Sequence, residues 1–192
     1  MIYLASASPR RRELLRQLGV TFEAMPSNIL EVRGVGESPT AYVTRVAADK
    51  ARFVARVIAE RGLPEAPVLG ADTEVILDGA ILGKPRDRAH GMEMLQQLAG
   101  RTHNVLTAMT LVYHGQEHSA LSTSTVTFGA LTQDEIERYW DSGEPLDKAG
   151  AYAIQGAAAG FIARVEGSYS GVMGLPLFEL TQLLKKINGS AA

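Results

Sequence analysis

Apolar positions set the order of elements along this chain before any other property is considered. Ile2-Tyr3-Leu4-Ala5 is a short unbroken apolar run and predicts a buried strand. Ser8-Pro9 then reads as a helix cap with proline at the first helical position. Leu14, Leu15 and Leu18 supply the stripe of that helix, and Gly19 is its natural stop. Thr21-Phe22-Glu23-Ala24-Met25 predicts a second strand, followed over 26–37 by a loop containing Pro26, Gly34 and Gly36. Ser38-Pro39 repeats the cap signature and opens a long helix to about Arg61, with Val43, Val46, Ala47, Val54, Val57 and Ile58 on one face. Gly62 and Pro64 end it.

The middle of the chain changes period. Val68-Leu69 and Val75-Ile76-Leu77 are strand-like, and Asp78-Gly79 before Ala80-Ile81-Leu82 is a strong hairpin signal. Residues 87–98 predict a helix with Met92, Leu95 and Leu98 inside. Two long strands follow, near 102–113 and 117–129, with Gly115 in the turn. Thr132 with Glu135 forms a capping box for a helix to about Ser142. Residues 143–174 are rich in glycine and give no clear assignment. A last helix is expected from about Pro176 to Ile187, with Ser190-Ala191-Ala192 as a frayed end. Early helix–strand alternation combined with central hairpins means an α/β fold with a mixed sheet, not a purely parallel one.

Composition narrows the class. The 192 residues are enough to bury a full core as one domain, or one domain split into two lobes. With no cysteine, disulfide scaffolds, cysteine-ligated metals and thiol catalysis are excluded. No stretch approaches the roughly 18 apolar residues of a membrane span. The N-terminal apolar run is too short for a signal-peptide core and its arginines lie on the wrong side, so a soluble, cytoplasmic protein is expected. The net charge of −2 argues against a general nucleic-acid binder. It hides an asymmetry: residues 1–61 carry a balance of +4 and residues 62–192 a balance of −6. A basic N-terminal third suits an anionic small ligand.

Four stretches offer chemistry. Ser6-Ala7-Ser8-Pro9-Arg10-Arg11-Arg12 brings amides, hydroxyls and three arginines to a helix start, where cations oppose the helix dipole. It reads either as an anion site or as a solvated basic turn. Lys50 lies four residues from both Val46 and Val54, on the apolar stripe of the long helix. It is either a lysine snorkelling from the edge of that stripe or a partly buried ammonium aimed at a phosphate. In Gly70-Ala71-Asp72-Thr73-Glu74 two acids interrupt an apolar strand pair. Asp72, at a strand end, suits a divalent cation or the activation of water, with Glu31 from the 26–37 loop as a second carboxylate and Lys84 as a returning charge. The structural alternatives are a turn aspartate and ordinary loop charges. In Asp147–Gly156 the small residues would let a backbone approach a ligand, with Gln155 placed to read a base edge; a bland surface loop fits the same residues.

Other phosphate and catalytic motifs are absent. There is no GxxxxGK[ST] run, Gly34-Val35-Gly36 lacks a third glycine because position 39 is proline, and Gly167–Gly171 misplaces serine for a nucleophile elbow. His114 and His118 have metal-like spacing, but Gly115 and the strand context argue against a shared face.

Taken together, Leu4–Arg11, Asp49-Lys50-Ala51, Gly70–Thr73, Gly83-Lys84-Pro85-Arg86-Asp87, Asp147–Tyr152, Ile154-Gln155-Gly156 and Gly174-Leu175-Pro176 resemble the Maf family of nucleotide pyrophosphatases, once named for septum-formation inhibition. The resemblance implies one domain over 1–192, with a mixed twisted sheet, flanking helices and two lobes around a deep cleft, similar to inosine triphosphate pyrophosphatases. It implies hydrolysis of a nucleoside triphosphate to the monophosphate and pyrophosphate with a divalent metal, Mg²⁺ or Mn²⁺. Asp72 matches the general base. Ser6, Arg10, Arg11, Lys50 and Lys84 match phosphate-cradling positions, and Glu31 matches a cleft carboxylate that shares the metal with Asp72. Arg10, Thr73 and Gln155 resemble the dTTP/UTP subfamily, where modified pyrimidine triphosphates are also candidate substrates. A 7-methyl-GTP enzyme would carry glutamine for Thr73 and glutamate for Gln155. Glu74 departs from the family pattern, which is apolar there, and implies either a locally altered strand or an extra metal ligand. The alternatives are a nucleotide-sensing protein in division arrest and a house-cleaning pyrophosphatase for another nucleotide. A homodimer is the expected assembly.

Overall fold

The computed structural model describes residues 1–189. Seven strands form one mixed sheet: β1 (Ile2–Leu4), β2 (Phe22–Ala24), β3 (Val68–Leu77), β4 (Ala80–Leu82), β5 (Thr102–Tyr113), β6 (Gln116–Phe128) and β7 (Ile162–Glu166). Six α-helices flank it: α1 (Pro9–Gln17), α2 (Pro39–Glu60), α3 (Arg88–Leu98), α4 (Gln133–Asp141), α5 (Tyr169–Met173) and α6 (Leu177–Gly189). The strand order is β2-β1-β3-β5-β6-β7, with β4 paired to β3. β1 is parallel to β2 and β3, and every other pairing is antiparallel. The expected mixed α/β sheet is therefore present. The predicted frayed end, Ser190–Ala192, lies outside the described residues.

Local signals behave as their chemistry requires. The Ser8, Ser38 and Asp87 side chains each accept a backbone N–H in the first turn of α1, α2 and α3, and Thr132 with Glu135 closes a reciprocal capping box on α4. Asp78-Gly79 and His114-Gly115 both adopt positive φ at their two turn positions, the geometry of tight hairpins. Two core assignments shift by a residue or two. Met92 and Val57 are only half-buried, and Met94 takes the inward position on α3. The unassigned 143–174 segment contains two 3₁₀ turns, β7 and α5. β7 is a short edge strand with mostly exposed residues, so its sequence carries almost no burial signal.

Val68-Leu69 and Val75–Leu77 are not two strands with acids between them but the ends of one ten-residue strand. β5 pairs with it without a break from Val68 to Ile76, including Asp72 and Glu74, so Glu74 causes no bulge and the strand is not locally altered. On its other edge β3 is paired differently. β1 covers Val68 and Leu69, and β4 covers Val75 to Leu77. Residues 70–74 have no strand partner on that edge among the described residues. Alternate side chains point to opposite faces of a strand, so this gap opens both faces of β3 to one space. Asp72 and Glu74 project on the face with α2, and Thr73 projects on the other.

α2 approaches β3 closely there because the contact residues are small. A Cβ on Gly70 would sit 2.2 Å from the Ala47 carbonyl oxygen and 2.9 Å from the Ala51 methyl. Glycine is thus required for this helix–strand distance. Val43, Ala47, Ala51, Val54 and Ile58 bury the rest of the helix face. The opposite face of the sheet packs on α1 and α6 through Leu14, Leu15, Leu180 and Leu183, and on α3 and α4 through Leu95, Leu98 and Ile136.

Candidate active site

A pocket of about 770 Å³ opens over the uncovered edge of β3. Ser6, Arg10, Arg11, Glu31, Lys50, Asp72, Thr73, Lys84 and Gln155 all line it. Every predicted site residue therefore reaches one space, although they come from the β1–α1 turn, the 26–37 loop, α2, β3, the segment after β4 and the 143–161 segment.

Lys50 and Asp72 form its floor. The close approach of α2 at Gly70 carries Lys50 Nζ to 2.7 Å from Asp72 Oδ1 and 3.0 Å from Glu31 Oε1. Both Lys50 and Asp72 are buried. Lys50 does not snorkel: its ammonium is buried and meets the Asp72 and Glu31 carboxylates, where the sequence reading aims it at a phosphate. Asp72 Oδ2 is buried with no hydrogen-bond partner among the described residues. Glu31 is held over the pair because its loop is pinned to α2. The Tyr42 hydroxyl donates to the Glu31 carbonyl at 3.2 Å, and Arg45 donates to the Val32 carbonyl at 3.0 Å and pairs with Glu37 at 2.7 Å.

The arginines divide their work. Arg11 is buried and donates through Nε to the Gly174 carbonyl at 2.8 Å. Its terminal nitrogens donate to Ser6 Oγ at 3.1 Å and Thr73 Oγ1 at 3.2 Å. Burial lowers its pKa from the usual arginine value, and the Asp72 and Glu31 charges oppose that shift. Arg11 thus ties α1, β3 and the α5–α6 turn together at the pocket wall. Thr73 is equally committed, since its hydroxyl lies 3.0 Å from the Thr107 hydroxyl as well. Arg10 is different. Its side chain makes no hydrogen bond or ion pair among the described residues, and burial followed by the neighbouring Arg11 charge lowers its pKa. The Lys84 side chain likewise makes no such bond. Lys148 faces the same space, donates to the Leu146 carbonyl at 2.9 Å, and has its pKa lowered by burial and then by Arg10. These cations repel one another in the absence of an anion.

Glu74 stands beside Asp72 on the same face of β3. It is buried, its Oε2 has no hydrogen-bond partner among the described residues, and burial, then the Asp72 and Glu31 charges, push its pKa up to about 8. A carboxyl with a raised folded-state pKa favours the native state fully below the ordinary carboxylate value, and that contribution is lost as pH rises through about 8. Relative to Glu74→Gln, the wild type is therefore expected to lose stability on the order of 3 kcal/mol between pH 5 and pH 9. Urea melts of both proteins in EDTA check this. Parallel pH profiles would show that Glu74 titrates normally.

Glu144 lines the pocket without having been singled out from sequence, and Lys148 and Tyr152 line it from within the Asp147–Gly156 stretch without having been given a role there. All three lie in the glycine-rich segment, where neither period nor cap marks a side-chain direction. Tyr152 carried one readable signal, an aromatic residue among alanines and glycines. Its hydroxyl lies 2.8 Å from His103 Nε2, in an aromatic cluster with Phe128. Burial alone pulls His103 down to about 4. His114 and His118 take no part in the site. His114 pairs with Glu65 at 3.1 Å.

A mixed sheet whose strand gap lies over a buried lysine–carboxylate pair, with further arginine, lysine and acidic side chains around it, defines an α/β protein with a highly charged pocket. The family model described as Maf-like protein matches residues 1–187, and the chain belongs to that family. It is 57% identical over 191 residues to a protein of Cupriavidus pinatubonensis, covering 96% of both chains. It is 58% identical over 184 residues to one of Alkalilimnicola ehrlichii, covering 95% of this chain and 91% of the relative. A protein of Nitrosomonas europaea is 50% identical over 193 residues, with 96% and 93% covered. Each of these relatives is named dTTP/UTP pyrophosphatase. No helix among the described residues is long and apolar enough to cross a membrane.

Proposed function

We propose that this chain hydrolyses dTTP and UTP to the nucleoside monophosphate and pyrophosphate, with Asp72 as general base. Family membership and the shared name of relatives at 50–58% identity support the reaction and its substrates. The observation that carries the chemistry is the Lys50–Asp72 pair. Asp72 lines the pocket; one of its carboxylate oxygens is fixed by the ammonium at 2.7 Å, and the other is buried without a partner among the described residues.

In this reading Asp72 Oδ2 accepts a proton from water as the water oxygen attacks the α-phosphorus. The bond from that phosphorus to the bridging oxygen breaks in line, and pyrophosphate departs with the electron pair. Arg10 and Lys84, neither committed to a protein partner among the described residues, meet the charge that builds on the leaving group. Ser6 and Arg11 fix the wall against which the phosphates lie. Gln155 offers both a donor and an acceptor to a uracil or thymine edge, and Thr73 sets that wall's position through Arg11.

Asp72 and Glu31 fit a divalent cation, Mg²⁺ or Mn²⁺: both offer hard oxygen donors, and one Asp72 oxygen is orphaned. No group of three or more His, Cys, Asp or Glu side chains among the described residues makes a metal site by itself. Such a cation would therefore be held jointly with substrate phosphate oxygens, the usual manner for Mg²⁺. When bound, it supplies positive charge to the phosphates. We read the chain as one domain whose pocket is the cleft between two lobes, acting in the cytoplasm as a homodimer. Incubation with dTTP, UTP, the purine triphosphates, inosine triphosphate and 7-methyl-GTP in Mg²⁺ or Mn²⁺ tests the proposal. Monophosphate and pyrophosphate are expected fastest from dTTP and UTP. Release from none would favour a nucleotide-sensing role, and preference for inosine triphosphate would favour a different house-cleaning substrate.

A further inference from the structure

The segment that carries Gln155 has no regular structure of its own, yet both its ends are anchored. Tyr139, from α4, and Glu144, just beyond that helix, supply the anchors. On the near side the Ala153 N–H donates to the Tyr139 hydroxyl at 3.1 Å. On the far side the Ala157 N–H donates to Glu144 Oε2 at 2.9 Å. The Tyr139 hydroxyl in turn donates to Glu144 Oε1 at 2.8 Å, so the two anchors are one network. A weaker bond from the Ala158 N–H to Oε1, at 3.4 Å, completes it. Gly156 is part of the device, since a Cβ there would lie 2.2 Å from Glu144 Oε2. A side chain there would displace the carboxylate from this network. Gln155 itself is exposed, with its side chain unbonded to protein among the described residues. Its position is therefore set by backbone bonds on either side.

We infer that Glu144 is a positioning residue for pyrimidine selection: with Tyr139 it clamps residues 153–157, so that Gln155 is presented to the base in one pose. The inference rests on the proposed pyrimidine triphosphate reaction and adds what makes its base-reading residue selective. Glu144 is half-buried on the pocket wall, and its carboxylate is occupied by backbone N–H groups and a phenol. A carboxylate saturated in this way serves geometry more than chemistry. Preorganising a loop improves binding by removing the cost of ordering it. Loss of the clamp should therefore act on KM and on selectivity, and little on the phosphoryl chemistry at Asp72.

The test compares Glu144→Ala, Glu144→Gln and Tyr139→Phe with wild type, using dTTP, UTP and GTP in Mg²⁺. Glu144→Ala is expected to raise KM for dTTP and UTP about tenfold, change kcat less than about threefold, and shrink the preference over GTP by a similar factor. Glu144→Gln should restore most of both, because its carbonyl can accept from Ala157 and its amide can donate to the Tyr139 oxygen. Tyr139→Phe keeps the ring but removes the shared hydroxyl, and should raise KM in the same direction. It decides the matter if Glu144→Ala does not fold. An unchanged KM and selectivity in Tyr139→Phe and Glu144→Ala would overturn the clamp. So would a glutamine variant as impaired as the alanine variant, which would assign the effect to charge opposite Arg10. If wild type cleaves neither dTTP nor UTP, the functional reading itself has failed. Wild-type cleavage with indifferent variants sinks only the clamp.

Discussion

Asp72→Asn is expected to lower kcat for dTTP and UTP by about 10³-fold or more while leaving the thermal midpoint within a few degrees of wild type. The effect follows from position. Asp72 lies mid-strand in β3 and lines the pocket, with one oxygen 2.7 Å from Lys50 and the other buried without a hydrogen-bond partner among the described residues. Asparagine keeps the shape and a carbonyl that can accept from Lys50, so the floor of the site survives. It removes the proton acceptor and one of the two oxygens that suit a cation. General-base loss alone typically costs about 10²–10⁴-fold. Circular dichroism and pyrophosphate release, measured on the same sample, separate chemistry from folding. A variant with near wild-type turnover would remove Asp72 from the reaction.

Lys50→Met should be as damaging to activity and far more damaging to stability. Lys50 is the cation between Asp72 and Glu31, and Glu74 is buried beside them. Removing it leaves like charges facing one another without compensation. Breaking a buried pair by deleting one partner generally costs about 3–5 kcal/mol. The double variant Lys50→Met with Asp72→Asn should recover a large part of that stability and none of the activity. Urea denaturation of the four proteins yields the coupling directly. Additive stabilities would mean that the ion pair contributes nothing specific. This test also separates Lys50 from Arg11, whose guanidinium is spent on Gly174, Ser6 and Thr73 and which acts through placement.

Much of this arrangement could be read from the chain because it is local. Ser8-Pro9, Ser38-Pro39 and the Thr132 capping box define helix starts through bonds spanning three residues. Asp78-Gly79 and Gly115 define turns through backbone conformation. Lys50 was legible as a charge on an apolar helical stripe, although the stripe alone left a snorkelling lysine and a buried one both open. What failed is non-local. Gly70, Asp72 and Glu74 look like interruptions of a strand, because a strand's own sequence does not reveal that β5 pairs along its whole length. The gap between β1 and β4 that makes β3 a site is a property of three strands together. The Glu144 network joins residues up to 14 positions apart in a segment with no period, and nothing in its spacing distinguishes it from a glycine-rich loop. The family resemblance assembled the candidate residues, and the geometry shows what each is bonded to. Arg10 and Lys84 have no protein partner among the described residues, whereas Arg11 and Thr73 are built into the wall.

In the proposed reaction, water directed by Asp72 attacks the α-phosphorus of a pyrimidine triphosphate. The most direct test is hydrolysis of dTTP in ¹⁸O-labelled water, with the label located by mass spectrometry in wild type and Asp72→Asn run in parallel. One ¹⁸O in dTMP and none in pyrophosphate is expected for the wild type, and no labelled dTMP above background for the variant. Label in pyrophosphate, or labelled dTMP formed at an undiminished rate by Asp72→Asn, would contradict it.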